Sequence, residues 1–223
     1  LLHSLPKELG KVNVTMGYPI RMTPAYPLIE RLLDLQHHSR IDREGNTHFY
    51  HADVAGLLSH PYISDSEPDR VAHLLAAIRK NRRVRIDRRQ LADGELFSLI
   101  FTKVEGWVEL SNYLRDVISA IAGTSCTDEE SSHRTEFLAV MAEQLAKLHN
   151  SLTECTIDLT SNVYTSLLRR HLQGIRIPFE GEPLEGVQIM GILETRNLDF
   201  RNVILLSMND DNFPGNRSAQ SSF

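Results

Sequence analysis

β-forming sequence stands at both ends of this chain, and helical periodicity fills the middle. No other feature restricts the available folds as strongly. Residues 10–16 (GKVNVTM) alternate apolar and polar positions, the period-2 pattern of a half-buried strand. Near the other end, 187–192 (VQIMGI) and 203–208 (VILLSM) read as two strands. The second is a continuous apolar run, the kind buried on both faces of a parallel sheet. Residues 175–179 (IRIPF) read as a further short strand, and 181–186 as a turn-rich loop.

Between these ends the apolar spacing is helical. Thr23 ahead of Pro24 predicts a helix start, with an N-cap hydroxyl and Pro at the first helical position. Leu28, Ile29, Leu32, Leu33 and Leu35 carry that helix to about His38. Residues 42–47 are polar, include Gly45, and read as a loop. Phe49, Val54, Leu57 and Leu58 mark a second helix, ended by His60-Pro61. After a linker at 64–68, Val71, Leu74, Leu75 and Ile78 mark a third. Further helical segments are predicted near 94–103, 106–122, 133–153 and 161–173. In the long one, Phe137, Leu138, Met141, Leu145 and Leu148 share a face. The expected architecture is α/β and helix-rich. One sheet layer is built from residues 1–40 and 175–223, and a mainly helical subdomain, 41–174, is inserted in it. The alternative is a mixed α+β domain without a separable insert.

Composition excludes several classes. No apolar run approaches the ~18–20 residues of a membrane span, and no signal-peptide pattern is present. Cys126 and Cys155 are too few for a disulfide framework or a four-cysteine zinc site and read as buried apolar thiols. A cytoplasmic address follows. The net charge of −5 is not that of a domain binding nucleic acid by bulk charge. Arginine greatly outnumbers lysine, which suits bidentate phosphate contacts and equally fits a genomic base bias. The chain opens Leu1-Leu2 and ends in a polar stretch, so it reads as part of a longer protein whose catalytic centre lies elsewhere.

Catalytic motifs are missing. The only Gly-Lys, Gly10-Lys11, is followed by Val12, so there is no Walker A loop. No lysine has an acidic residue two positions before it, as a PD-(D/E)xK nuclease needs, and G-x-S-x-G is absent. His48, His51, Asp53 and His60 cluster in sequence. A metal reading competes there with ordinary surface histidines, because no third ligand is defined. Residues 79–89 (RKNRRVRIDRR) form the densest basic stretch. It suits several phosphates or a solvated face, and it contains no interleaved aromatics for base stacking.

The segment 187–214, VQIMGILETRNLDFRNVILLSMNDDNFP, resembles without a gap the motif V region of UvrD/Rep-type superfamily 1 helicases. Val187, Gln188, Met190, Leu198, Asp199, Phe200, Val203, Met208, Phe213 and Pro214 fall where that pattern places them. Gly191, Leu193, Arg196 and Asn197 replace the Thr, His, Lys and Gly of active helicases, and Glu194 adds a charge that repels phosphate. The variant is similar to AddB-type subunits of bacterial helicase–nucleases. It is more similar still to long PD-(D/E)XK nuclease-family proteins with a degenerate helicase body. Residues 12–29 resemble the opening of their second helicase half, and 51–63 a helical segment of their inserted subdomain; across 65–160 the likeness is thin.

The resemblance implies a partial RecA-like (2A-like) sheet with a 2B-like insert, belonging to a protein of double-strand-break repair and recombination. The segment would be non-catalytic, a scaffold that touches single-stranded DNA or a duplex end. Thr195, Arg196 and Asn197 are the expected strand contacts, joined by Arg82, Arg83 and Arg85 from the basic stretch. No cofactor is expected here; ATP and Mg2+ belong to the parent protein. The expected partners are DNA and an AddA-like helicase–nuclease subunit, with no membrane. Two alternatives stand: the C-terminal part of an active UvrD-like helicase, and a protein-interaction module.

Overall fold

The computed structural model describes residues 12–14, 17–81, 83–124, 129–155, 159–177, 186–191, 195, 198–206 and 208; for 12–14, 124 and 129–133 it describes the backbone alone. The strands are β1 (Val12–Val14), β2 (Tyr18–Pro19), β3 (Arg40–Ile41), β4 (Thr47–Tyr50), β5 (Arg85–Asp87), β6 (Arg176–Ile177) and β7 (Val187–Ile189). The α-helices are α1 (Ala25–His38), α2 (His51–Leu58), α3 (Pro61–Ser64), α4 (Pro68–Asn81), α5 (Glu95–Ile100), α6 (Trp107–Thr124), α7 (Glu129–Glu154) and α8 (Ser161–Gln173). The fold is helix-rich with small sheets, a mixed α/β composition.

The chain divides into two compact units, Leu1–Thr15 with Gly181–Phe223, and Met16–Glu180. In the first, β1 and β7 pair in parallel, with Val12 opposite Val187 and Val14 opposite Ile189. In the second, Leu28, Ile29, Leu32 and Leu35 of α1 are sealed from solvent in the same core as Leu57, Leu114 and Leu168. Burying each such side chain is worth roughly 1.5–3 kcal/mol, so α1 belongs with the helices rather than with β1.

The second unit is held by helix packing and by polar ties across long sequence separations. Arg169 of α8 binds Glu30 of α1 bidentately, Nε donating to Oε1 at 3.1 Å and Nη2 to Oε2 at 2.7 Å. Gln36 donates to the Thr102 carbonyl at 2.7 Å and accepts from the Val104 amide, fixing the loop before α6. The buried Tyr113 hydroxyl donates to the Ile100 carbonyl, and burial raises its pKa. The β2–β6 pair joins the two ends of this unit, Tyr18 standing opposite Ile177.

Several expectations change. Thr23 does not cap α1; its hydroxyl donates back to the Ile20 carbonyl at 2.7 Å, inside a 3-10 turn. Phe49 belongs to β4, not to a helix. A three-stranded antiparallel sheet, β3-β4-β5, brackets the segment 42–47 read as a loop, takes in Phe49, and has its third strand in the basic stretch. Its strands of two to four residues are too short for a period-2 signal. Residues 203–206 form no strand: Val203, Ile204, Leu205 and Leu206 are 60–85% exposed, Ile204 the most. An apolar run becomes a buried strand only where neighbours pair with it and cover it, and among the described residues none does. Cys155 is exposed rather than buried, and Cys126 lies outside the described residues. Among the described residues no helix is long and apolar enough to cross a membrane.

Candidate nucleic-acid interface

The candidate site grows from the β3-β4-β5 sheet. Its register sets Arg40 opposite His48, His48 opposite Asp87, Phe49 opposite Ile86 and Tyr50 opposite Arg85. Residues directly opposite share a face, and neighbours along a strand alternate. Phe49 and Ile86 therefore point inward, and both are buried. Phe49 meets Phe101 edge-on at 5.5 Å. Arg40, His48, Tyr50, Arg85 and Asp87 form the outer face.

The β3–β4 turn is tied by one carboxylate. Asp42 Oδ1 accepts from the Glu44 and Asn46 amides at 2.9 and 2.8 Å, and Gly45 supplies the positive φ of 84° the turn needs. Asp42 Oδ2 lies 2.9 Å from His48 Nε2. The His48 bond, followed by the Asn46 amide, holds the Asp42 carboxyl well below the usual range.

Four rings stand in a row beside this face. His37 and His38 end α1, Tyr50 ends β4 and His51 opens α2. Neighbouring centroids are 5.1, 6.2 and 4.7 Å apart, each pair edge-to-face. His37 and His38 are exposed; Tyr50 and His51 are half-buried. His38 Nδ1 lies 2.8 Å from Asp53 Oδ2. Arg85 Nη1 donates to the His38 carbonyl at 3.1 Å, satisfying the C-terminal end of α1. His51 Nδ1 lies 3.2 Å from the Val84 carbonyl, which places a proton on that nitrogen.

The basic stretch separates into two groups. Arg88 turns inward, donating to the Phe101 carbonyl at 2.9 Å and to the Ser98 carbonyl and Thr102 hydroxyl at 3.3 Å, so it closes the end of α5. Arg89 grips Asp87 with contacts of 2.6 to 3.2 Å, which lower the Asp87 pKa and raise that of Arg89. Arg79, Lys80, Arg83 and Arg85 are exposed. Arg83 flanks a shallow recess lined by Leu74, Ile78, Ile86 and Leu91.

Of the strand-contact residues expected from sequence, Arg83 and Arg85 are both exposed, Arg83 just before β5 beside the recess and Arg85 on the outer face of the sheet. Thr195 is half-buried in the other unit, its carbonyl accepting from the Leu198 amide at 3.2 Å. Arg82, Arg196 and Asn197 lie outside the described residues. The histidine cluster does not converge on a metal. His48 faces Asp42, Asp53 faces His38, and His60 is buried at the start of α3, its Nδ1 accepting from the Tyr62 amide. Among the described residues no three metal-ligating side chains gather. The ring row escaped the sequence because no single element carries it; the available signals were the adjacent ring pairs His37-His38 and Tyr50-His51.

Comparison with protein-family models, with curated proteins and with solved structures finds no match to this chain.

Proposed function

We propose that this chain is a non-motor, helicase-like segment of a DNA-processing protein, which contacts a DNA strand and scaffolds its neighbours. The observation that carries the reading is the parallel pairing of β1 with β7 across the entire helical unit. Parallel strands need a long crossover, and here that crossover is a folded helical body. This is the organisation expected of a 2A-like sheet with a 2B-like insert. The strand β7 is also where the motif V-like segment begins, at Val187-Gln188. The replacements Gly191 and Asn197, where active helicases of the resembled family carry Thr and Gly, support a segment that no longer couples to ATP.

The finer reading is an AddB-like helicase–nuclease acting in the cytoplasm on double-strand breaks beside an AddA-like subunit, with ATP and Mg2+ bound elsewhere in the parent. Its DNA contacts are Arg83 and Arg85, with Arg82, Thr195, Arg196 and Asn197 as further candidates. One observation favours an added partner-facing role: Val203, Ile204, Leu205 and Leu206 are consecutive exposed apolar residues, and Met208 is exposed just after them.

Electrophoretic mobility with a tailed duplex, a blunt duplex and a single strand at low salt tests the reading. Retardation of the tailed and single-stranded species is expected. No retardation of any species would overturn DNA contact and leave only the scaffold role.

A further inference from the structure

We infer that the row His37, His38, Tyr50 and His51, with Arg85 at its side, is a binding site for the bases of single-stranded nucleic acid. The inference rests on the DNA-contact reading and specifies how the strand is held. Single-strand sites combine a cationic track for the backbone with ring faces for successive bases, because every base has a π-face to stack. The basic stretch alone lacks rings, and the fold supplies them from α1, β4 and α2. Tyr50 and Arg85 stand opposite each other across β4 and β5, so ring and guanidinium share the outer face. Arg85 spends Nη1 on the His38 carbonyl, which anchors its head and leaves other donors for phosphate.

Of the local carboxylates, Asp87 is paired with the Arg89 guanidinium, and Asp53 and Asp42 have their oxygens directed to the His38 and His48 rings. Arg40 on the same face, with Arg83, Arg79 and Lys80 nearby in sequence, adds positive charge not engaged with any carboxylate among the described residues. The edge-to-face angles of 70 to 75° between neighbouring rings leave faces turned in different directions rather than closed upon one another. In a duplex the bases are already stacked, so the site selects unpaired strand.

The test is an anisotropy titration of the chain with three probes of equal charge: a single strand, the same strand with abasic sites, and a duplex matched in phosphates. The single strand is expected to bind about tenfold more tightly than the abasic strand. Tyr50→Ala should shrink that difference severalfold while abasic binding stays as it was, and Tyr50→Phe should restore it. Far-ultraviolet circular dichroism verifies that Tyr50→Ala is folded. Quenching of a 2-aminopurine base on binding reports stacking independently. Equal binding of abasic and base-bearing strands, without quenching, would overturn the site and leave phosphate contact standing. Duplex binding as tight as single-strand binding would also overturn it. Failure of every probe at low salt would overturn both the site and the DNA-contact reading.

Discussion

Tyr50 of β4 stands directly opposite Arg85 of β5, and Arg85 in turn holds the last carbonyl of α1 at His38. A ring, a guanidinium and a helix end thereby meet at the outer face of one sheet, although they come from three separate stretches of sequence. Arg85 thus has a fold role as well as the proposed phosphate role. Arg85→Lys keeps charge but loses the planar fork. It is expected to weaken DNA binding severalfold and to lower stability by about 0.5–1.5 kcal/mol. Anisotropy and urea denaturation measure the two effects separately.

Arg88 lies three residues further on, and its expected behaviour is the opposite. It donates to two carbonyls and a hydroxyl at the end of α5. Arg88→Leu should cost about 1–3 kcal/mol by stranding those acceptors, with DNA affinity of the folded protein nearly unchanged. A large affinity loss in folded Arg88→Leu would mean that the basic stretch acts as an undivided patch.

Arg169 and Glu30 form a bidentate pair between α8 and α1, partly exposed on both sides. Solvent screening reduces its worth, so Arg169→Met is expected to destabilise by only about 0.5–1.5 kcal/mol. A double-mutant cycle with Glu30→Gln should return most of that as coupling. Additive losses would show that the two side chains act independently.

His60 gives the folded protein an acid sensitivity. Its ring is buried, its Nδ1 accepts from the Tyr62 amide, and burial followed by the Arg31 charge lowers its pKa from 6.5 to about 4. Between those values the unfolded chain binds a proton that the folded chain refuses. Stability from this group is therefore complete above about pH 6.5, falls as the pH drops, and levels off below about pH 4. The full loss is of order 3 kcal/mol, at ~1.4 kcal/mol per pKa unit. His60→Asn keeps an acceptor for the Tyr62 amide and does not titrate. Its urea midpoint should vary less between pH 7 and pH 4 than that of the parent chain.

Long amphipathic helices were legible in the sequence because their signal is local. Leu28, Ile29, Leu32, Leu33 and Leu35 repeat at helical spacing, and α1 follows. The same holds for α4, α6, α7 and α8. The β3-β4-β5 sheet was not legible, since Arg40–Ile41 has too few residues to show a period and only Phe49 and Ile86 mark its inner face. The run 203–206 misled in the other direction, because hydrophobicity announces a buried strand whether or not a partner strand covers it. The basic stretch was visible as charge. Its division into Arg88 and Arg89, held internally, and Arg83 and Arg85, on the surface, depends on where Phe101 and Asp87 lie.

The central claim is that this chain holds a DNA strand through cations at the edge of the β3-β4-β5 sheet. The most direct measurement is the salt dependence of single-strand binding for the parent chain and for Arg83→Ala combined with Arg85→Ala. A linear log–log plot is expected, with a slope shallower in the double variant by about 1.4, since each single-strand phosphate contact contributes ~0.7. An unchanged slope in the double variant, or no binding by the parent chain at low salt, would contradict it.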